Sequence, residues 1–195
     1  NPKNHIVIVT DPGSPLDISA RQAGYQVINA DPNVGGRFSA LSAFGLVPAA
    51  LMGINVAQIL NEAEIAAAEF TEQDSVAVKV ATLLLEQAEQ FIAFCDAGSK
   101  VPGLSDWIEQ LIAESTGKDQ KGRLPIVIET PGSEIAGSAP LVTFAEDAGE
   151  LSVIGSLAEQ FIFWEWVTAL MGRGLMVDPF NQPNVTEAKD RTGAL

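Results

Sequence analysis

The feature that most constrains this chain is an alternation of short β-branched runs with longer helical segments. Strand composition occurs at residues 5–10, 25–29, 90–95, 124–129 and 140–145. Strands separated by helices favour parallel pairing, because two parallel strands need a crossover connection that a helix usually supplies. The sequence therefore predicts a three-layer α/β fold with a mainly parallel sheet.

The intervening segments have helical patterns. Helices are predicted at residues 16–23, 37–53, 56–70, 75–89, 105–115 and 156–170, with a last one from residue 183 past Lys189. Ser105 is the expected N-cap of the fifth, Pro48 is a possible kink in the second, and Ser156 with Glu159 has the spacing of a capping box. No strand is predicted between residues 56 and 89, so this stretch is expected to join two sheet units.

The length and the first strand bear on domain organisation. A chain of 195 residues is expected to form one or at most two domains. Residues 5–10 read as a parallel-type strand with no helix predicted before them, which suggests that an upstream part of the protein precedes them.

The charge balance excludes some partners. The net charge is −14 and the pI about 4.3, with eleven Lys and Arg residues scattered along the chain, so nucleic acid and anionic membrane surfaces would repel it. A small anionic substrate can still be held by one or two local cations. The apolar stretch 161–177 contains Glu165 and Arg173, which are costly in a bilayer, and it is predicted to be a buried helix rather than a membrane span.

Cysteine and histidine are too few for several kinds of site. With one cysteine, Cys95, no disulfide can form within the chain, and a reducing cytoplasm fits. A zinc site of Cys and His ligands is excluded, and a Ser-His-Asp triad would have to use His5, the one histidine. The glycine-rich phosphate-binding motifs of nucleotide enzymes are absent from the sequence. No metal site is expected.

Arg37 is a cation at a position where a predicted helix begins and an anion would be favoured. It follows Gly35 and Gly36 at the start of a predicted helix, where the helix dipole favours anions over cations. Two glycines allow close backbone approach to a ligand, and a helix N-terminus beside a guanidinium makes an anion-binding corner. The alternative is a loop arginine that pairs with Asp31 or is exposed.

Two carboxylates are candidates for proton transfer. Glu114 lies near the C-terminal end of its predicted helix, where the dipole disfavours an anion and strengthens the carboxylate as a general base. Its structural alternative is a solvated helix-end glutamate. Glu165, between two tryptophans, is interpreted as a buried structural carboxylate with a partner, because buried glutamate is rare unless paired.

Three runs resemble motifs of the glucose-6-phosphate isomerase family. The first, residues 31–45, is built around Gly35-Gly36-Arg37-Phe38-Ser39. The second, residues 112–122, is similar to the family segment with the catalytic glutamate, and the third, residues 178–189, has the form Asp-Pro-Phe-Asn-Gln-Pro and ends at Lys189. The motifs stand in the family's order, and the resemblance extends over nearly the whole chain.

This resemblance implies a sugar isomerase (SIS) fold of flavodoxin-like type, with residues 1–55 as the end of the first such domain and residues 56–195 as the second. It implies interconversion of glucose 6-phosphate and fructose 6-phosphate through an enediol in glycolysis and gluconeogenesis, without a cofactor or a metal. Glu114 would move the proton, and Arg37 would stabilise the enediolate. Lys189 and Gln182 would contact the sugar, while Gly35 and Gly36 shape its approach. In the family the full-length protein is a cytoplasmic homodimer.

The sequence also departs from the family pattern. No histidine follows His5, although the family uses one for ring opening, and Asn181 stands where the family has aspartate. The family's Ser/Thr-rich phosphate loop is not found in the sequence. Two alternatives therefore stay open: a non-catalytic module that binds a sugar phosphate, and a structural or interaction segment without a site of its own.

Overall fold

The computed structural model describes residues 1–134, 137–145 and 149–193. The chain forms two compact units, Asn1–Glu62 and Ala63–Leu195, and the division falls inside one helix. Parallel strands joined by helices occur in both units, which confirms the predicted α/β class.

The first unit is a β-α-β arrangement followed by a helix. Strands β1 (Val7–Thr10) and β2 (Gln26–Asn29) pair in parallel, and helix α1 (Pro15–Gln22) connects them. Ser14 caps α1 by accepting a hydrogen bond from the Asp17 amide at 3.1 Å. Helix α2 (Ala43–Leu51) and the first part of the helix after it complete the unit, and a short 3-10 helix precedes β1 at Pro2–Asn4.

The continuous helix predicted over residues 37–53 is wrong. A 3-10 turn occupies Gly36–Phe38, and α2 begins only after Ser42, its N-cap. The serine hydroxyls between them donate to main-chain carbonyls, Ser39 to Gly36 and Ser42 to Ser39, at 2.7 and 2.8 Å. These short-range bonds compete with a regular helix. Pro48 lies inside α2, which continues to Leu51.

The second unit contains a four-stranded sheet and its helices. Helix α3 (Val56–Phe70) crosses the boundary between the units. It is followed by α4 (Val76–Glu86), β3 (Phe91–Cys95), α5 (Leu104–Thr116), β4 (Leu124–Val127), β5 (Leu141–Thr143), β6 (Leu151–Ser152), α6 (Leu157–Leu175) and α7 (Pro183–Gly193). The strand order is β4-β3-β5-β6, and all neighbouring strands are parallel. The sequence did not predict β6, because a strand of two residues is too short to show a strand pattern.

Helix α6 carries the centre of this unit's core, as its apolar sequence predicted. It packs against α4 and α5, and the fully buried Trp164 lies edge-to-face on Phe94 of β3 and on Phe144, with ring centroids 5.4 and 6.2 Å apart. The predicted capping box is present, since Ser156 and Glu159 each accept a hydrogen bond from the other's amide.

The N-terminus of α5 is capped differently from the prediction. Gly103, with φ at 85°, occupies the N-cap position, and Ser105 lies inside the helix with its side chain buried. Asp96, just after β3, takes over the capping role by accepting hydrogen bonds from the Gly103 amide at 2.6 Å and from the Ser105 amide at 3.2 Å and hydroxyl at 2.6 Å. A carboxylate is favoured at this end of a helix dipole, so it displaces the weaker serine cap.

Arg123 ties the loop after α5 to the end of α4. Its guanidinium donates to the main-chain carbonyls of Leu84 and Gln87, at 3.1 Å each, and also to that of Leu85. These are carbonyls that the last turn of a helix leaves without intrahelical partners.

Replacing Arg123 by Met should lower the free energy of unfolding by about 1.5–3 kcal/mol, because hydrogen bonds from a charged donor contribute about this much and the carbonyls lose their donor. Urea denaturation measures the change. Lys121→Met is the matched control, since Lys121 is exposed nearby, and its effect should stay within about 0.5 kcal/mol. Equal effects for the two variants would contradict the capping role.

Candidate active site

Glu114 lies in the last turn of α5, half-buried. Its carboxylate accepts a hydrogen bond from the Gln110 amide side chain, one turn earlier, at 3.0 Å. Gly117 ends the helix, and a Cβ atom there would lie 2.6 Å from the Ala113 carbonyl oxygen, so a larger residue would disturb the turn that follows Glu114. The carboxylate therefore has a side-chain partner at the end of α5, and the alternative of a solvated helix-end glutamate stays open.

The position of α5 places Glu114 near one edge of the sheet. Ala113 and Gly117 line a shallow groove together with Phe91 and Leu124, the first residues of β3 and β4. A helix that follows a strand in a parallel unit runs back along the sheet, so its C-terminus lies at the amino ends of the strands. In open α/β sheets, ligands usually bind beyond the carboxyl ends of the strands. Glu114 therefore lies at the other end of the strands from this usual ligand position.

The loop after α5 has an unusual backbone. Asp119 and Gln120 have positive φ angles of 55° and 59°, and Gly122 has φ of 106°. At Gly122 a Cβ atom would meet the Thr116 carbonyl oxygen at 2.6 Å, so only glycine fits without rearrangement. The loop is thus shaped by main-chain constraints rather than by exposed side chains.

Lys118 is the main functional candidate that the sequence reasoning missed. Its side chain is 8% exposed, and its ammonium donates to the main-chain carbonyls of Asp178 and Asn181, the latter at 2.9 Å. These acceptors lie 60 and 63 residues away in the sequence, in the third motif. No local pattern could reveal a contact of this range, although Lys118 stands inside the second motif.

The third motif begins in the turn between α6 and α7 and continues into α7. The Phe180 amide donates to the Asp178 carboxylate at 2.9 Å, and a Cβ on Gly172 of α6 would approach the Pro179 Cβ to 2.8 Å. Gln182 is half-buried at the end of this turn. Lys189 is exposed on α7, where it lines a shallow groove with neighbouring side chains of the same helix.

Arg37, Gly35 and Gly36 lie in the first unit. Arg37 is 3% exposed, with its guanidinium carbon 5.4 Å from the centroid of the Phe38 ring, so the alternative of an exposed arginine is wrong. Gly35 is the residue before the 3-10 turn, and a Cβ on Gly36 would have no atom within 4 Å. The predicted close approach of a ligand to the main chain at Gly35 and Gly36 stays a prediction.

Within the second unit, the structure brings the Glu114 and Gln182 motifs together through Lys118. Arg37 and its glycines belong to the other compact unit. Among the described residues, no three His, Cys, Asp or Glu side chains are grouped so as to hold a metal ion. In that same part of the chain, no helix combines the length and the apolar composition that crossing a membrane requires.

Glu165 is a carboxylate in a strongly perturbed environment. Burial raises the pKa of Glu165 to about 7, and its Oε1 atom has no hydrogen-bond partner among the residues that the structure describes. The partner that the sequence predicted for this carboxylate is therefore not found in that part of the chain. A carboxyl that keeps its proton near neutral pH avoids the cost of burying an unpaired charge.

Glu165 should make stability fall as pH rises. Its folded pKa of about 7 lies above the ordinary 4.5, so the folded state holds the proton more tightly, and this advantage is complete below pH 4.5 and lost above pH 7. Relative to wild type, Glu165→Gln should gain up to about 3 kcal/mol in unfolding free energy above pH 7, and little at pH 4. Denaturant titrations at several pH values measure this difference, with Glu86→Gln, an exposed residue of α4, as control for the lost charge. A constant offset at every pH would contradict the assignment.

Comparison with known proteins identifies relatives. No family model matches the chain. Glucose-6-phosphate isomerases from Carboxydothermus hydrogenoformans and Fusobacterium nucleatum are 36% and 33% identical to it, in each case over 65% of this chain. The chain spans only 29% and 30% of the length of these relatives.

Two solved structures have the same fold. A hypothetical protein from Thermus thermophilus superposes with a TM-score of 0.83 over 98% of this chain and 63% of that protein, at 23% identity. A glucose-6-phosphate isomerase from Chlamydia trachomatis gives 0.70 over 98% of this chain and 52% of that protein, at 17% identity.

The fold and its parallel sheets thus define an α/β protein of the architecture found in these two structures. By sequence, the chain is similar to glucose-6-phosphate isomerases over 65% of its length, as the three motifs predicted.

Proposed function

We propose that the protein containing this chain interconverts glucose 6-phosphate and fructose 6-phosphate. The observation that supports this most is structural: Lys118, four residues after Glu114, bonds to the turn that precedes Gln182 and α7. Two motifs far apart in the sequence are therefore adjacent, as residues of one active site need to be. Homology to proteins named glucose-6-phosphate isomerase supplies the reaction.

In the proposed reaction, Glu114 carries a proton between two carbons. In the open-chain aldose its carboxylate takes the proton from C-2. The electron pair of that bond forms the double bond between C-1 and C-2, and the carbonyl oxygen on C-1 takes up the negative charge of the enediolate. Return of the proton from Glu114 to C-1, with transfer of the hydroxyl proton from the oxygen on C-2 to the oxygen on C-1, gives the ketose. Gln110, bonded to Glu114, orients the carboxylate.

The remaining residues stabilise charge and bind the sugar in this proposal. Arg37 would stabilise the negative charge that develops on the enediolate oxygens, since a guanidinium is permanently charged and presents several donors. Gln182 and Lys189 would contact the sugar and assist ring opening, and the open space beside Gly36 would admit the substrate.

We also propose the finer assignments that the family resemblance implies. Residues 1–55 would be the end of the first sugar isomerase domain and residues 56–195 the second. The full-length protein would act as a homodimer in the cytoplasm, in glycolysis and gluconeogenesis, with a phosphosugar and no nucleic acid as its partner. The strong negative charge supports the last point, because a polyanion would be repelled.

A second candidate is a binding module that holds a sugar phosphate without turning it over. The absence of any histidine after His5 favours it, since the family's ring-opening group is a histidine. Detectable binding of fructose 6-phosphate by calorimetry, without any turnover by the wild-type protein, would support this reading.

Replacement of Glu114 by Gln should slow isomerisation strongly. The amide cannot accept the proton, and we expect kcat to fall by about 10²–10⁴-fold, the usual contribution of general acid–base catalysis. The measurement is a coupled assay of glucose 6-phosphate formation from fructose 6-phosphate, made on the native protein. Glu109→Gln, on the same helix, is the matched control and should keep kcat within about twofold of wild type. A wild-type kcat in the Glu114→Gln variant would contradict the proposed role of Glu114 in proton transfer.

A further inference from the structure

We propose that Lys118 is a positioning residue that holds the Asp178–Gln182 turn, and through it the start of α7, against the end of α5. The kinetic part of this inference rests on the proposed isomerase function. The structural part does not, because it concerns contacts within the second unit alone.

The first argument is the burial of a lysine. Lys118 is 8% exposed, although lysine is almost never buried unless its charge is compensated. Its ammonium donates to two main-chain carbonyls, those of Asp178 and Asn181. These carbonyl dipoles contribute to that compensation, and a charged donor in a poorly hydrated position makes stronger hydrogen bonds than a neutral one.

The second argument is the spacing of the two acceptors. Asp178 and Asn181 are three residues apart, so one ammonium fixes both ends of a single turn. Inside that turn the Phe180 amide donates to the Asp178 carboxylate at 2.9 Å. Because both acceptors are main-chain atoms, Lys118 fixes the path of the backbone that leads directly into Gln182.

The third argument is that the turn also packs closely on α6. Pro179 lies so close to Gly172 of α6 that a Cβ atom on this glycine would be 2.8 Å from the proline Cβ. Packing of Pro179 on α6 and the hydrogen bonds from Lys118 therefore both restrain this turn.

The fourth argument is that Lys118 itself has a rigid base. The Lys118 amide donates to the Thr116 carbonyl at 2.8 Å, and the Lys118 carbonyl accepts from the Lys121 amide at 2.9 Å. Gly117 closes α5 through a 2.9 Å bond to Ala113. The main chain at Lys118 is therefore held in a defined position four residues after Glu114. Because the Lys118 side chain bonds to the turn before Gln182, the position of that turn depends on the position of Lys118.

Two measurements on the native protein test the inference, with Lys118→Met removing the donors and Lys121→Met as matched control. The first is hydrogen exchange followed by mass spectrometry. Lys118→Met should speed exchange in the peptide covering residues 177–183 by tenfold or more, while the peptide covering β3 stays protected. Lys121→Met should leave both peptides as in wild type. Equal exchange at residues 177–183 in all three proteins would overturn the inference.

The second measurement is kinetic and uses Lys118→Ala with added propylammonium, which replaces the lost carbons and charge. We expect kcat/KM to fall tenfold or more in Lys118→Ala, with a higher KM, and to recover at least threefold with propylammonium but not with propanol. A loss that propylammonium does not reverse, together with unchanged exchange at residues 177–183, would count against positioning.

Two further results distinguish failure of the variants to fold, and failure of the proposed function, from failure of the inference about Lys118. Lys118→Arg keeps the cation, so if Lys118→Met and Lys118→Ala do not fold, the arginine variant should fold and show exchange at residues 177–183 faster than wild type. Failure of the arginine variant to differ from wild type would then overturn the inference. A wild-type protein without isomerase activity would refute the proposed function, and the exchange experiment would still decide the role of Lys118.

Discussion

The second unit depends on the burial of Trp164 against its sheet. The indole is fully buried between Phe94 of β3, Phe144 and Phe163, with edge-to-face ring contacts to all three. Its Nε1 atom donates to the Gln160 side chain at 3.0 Å, and the amide group of Gln160 donates to the Val153 carbonyl at 2.8 Å. A large apolar contact and a satisfied polar chain therefore fix α6 on the sheet.

The position of α6 determines the candidate site. Gly172, on the buried side of this helix, contacts Pro179, and the turn that follows the helix accepts two hydrogen bonds from Lys118. Glu165, next to Trp164, is the exception in this apolar surface, and burial raises its pKa to about 7. One helix thus anchors the core, carries a costly carboxyl group and presents the turn of the third motif to the segment that contains Glu114.

Local patterns predicted the parts of the fold that local chemistry determines. The capping box of Ser156 and Glu159 is a contact between residues three apart, and it is present as predicted. The prediction of Ser105 as the cap was wrong because its competitor, Asp96, lies nine residues earlier, in the loop after β3. The same limit applies more strongly to Lys118, whose acceptors are separated from it by several strands and a long helix. For the site, the motifs indicated Glu114 and Arg37, but only the structure reveals the bond to Gln110 and the burial of the guanidinium.

The central claim is that a carboxylate at the end of α5 moves a proton between two carbons of a sugar phosphate. The most direct measurement is conversion of fructose 6-phosphate to glucose 6-phosphate by the native protein in D2O, with proton NMR of the product. A carboxylate that exchanges its proton with solvent predicts deuterium at C-2 of the glucose 6-phosphate. Glucose 6-phosphate that stays free of deuterium at C-2 through many cycles of the reversible reaction would indicate direct hydride transfer, and that result, or no product at all, would contradict the account.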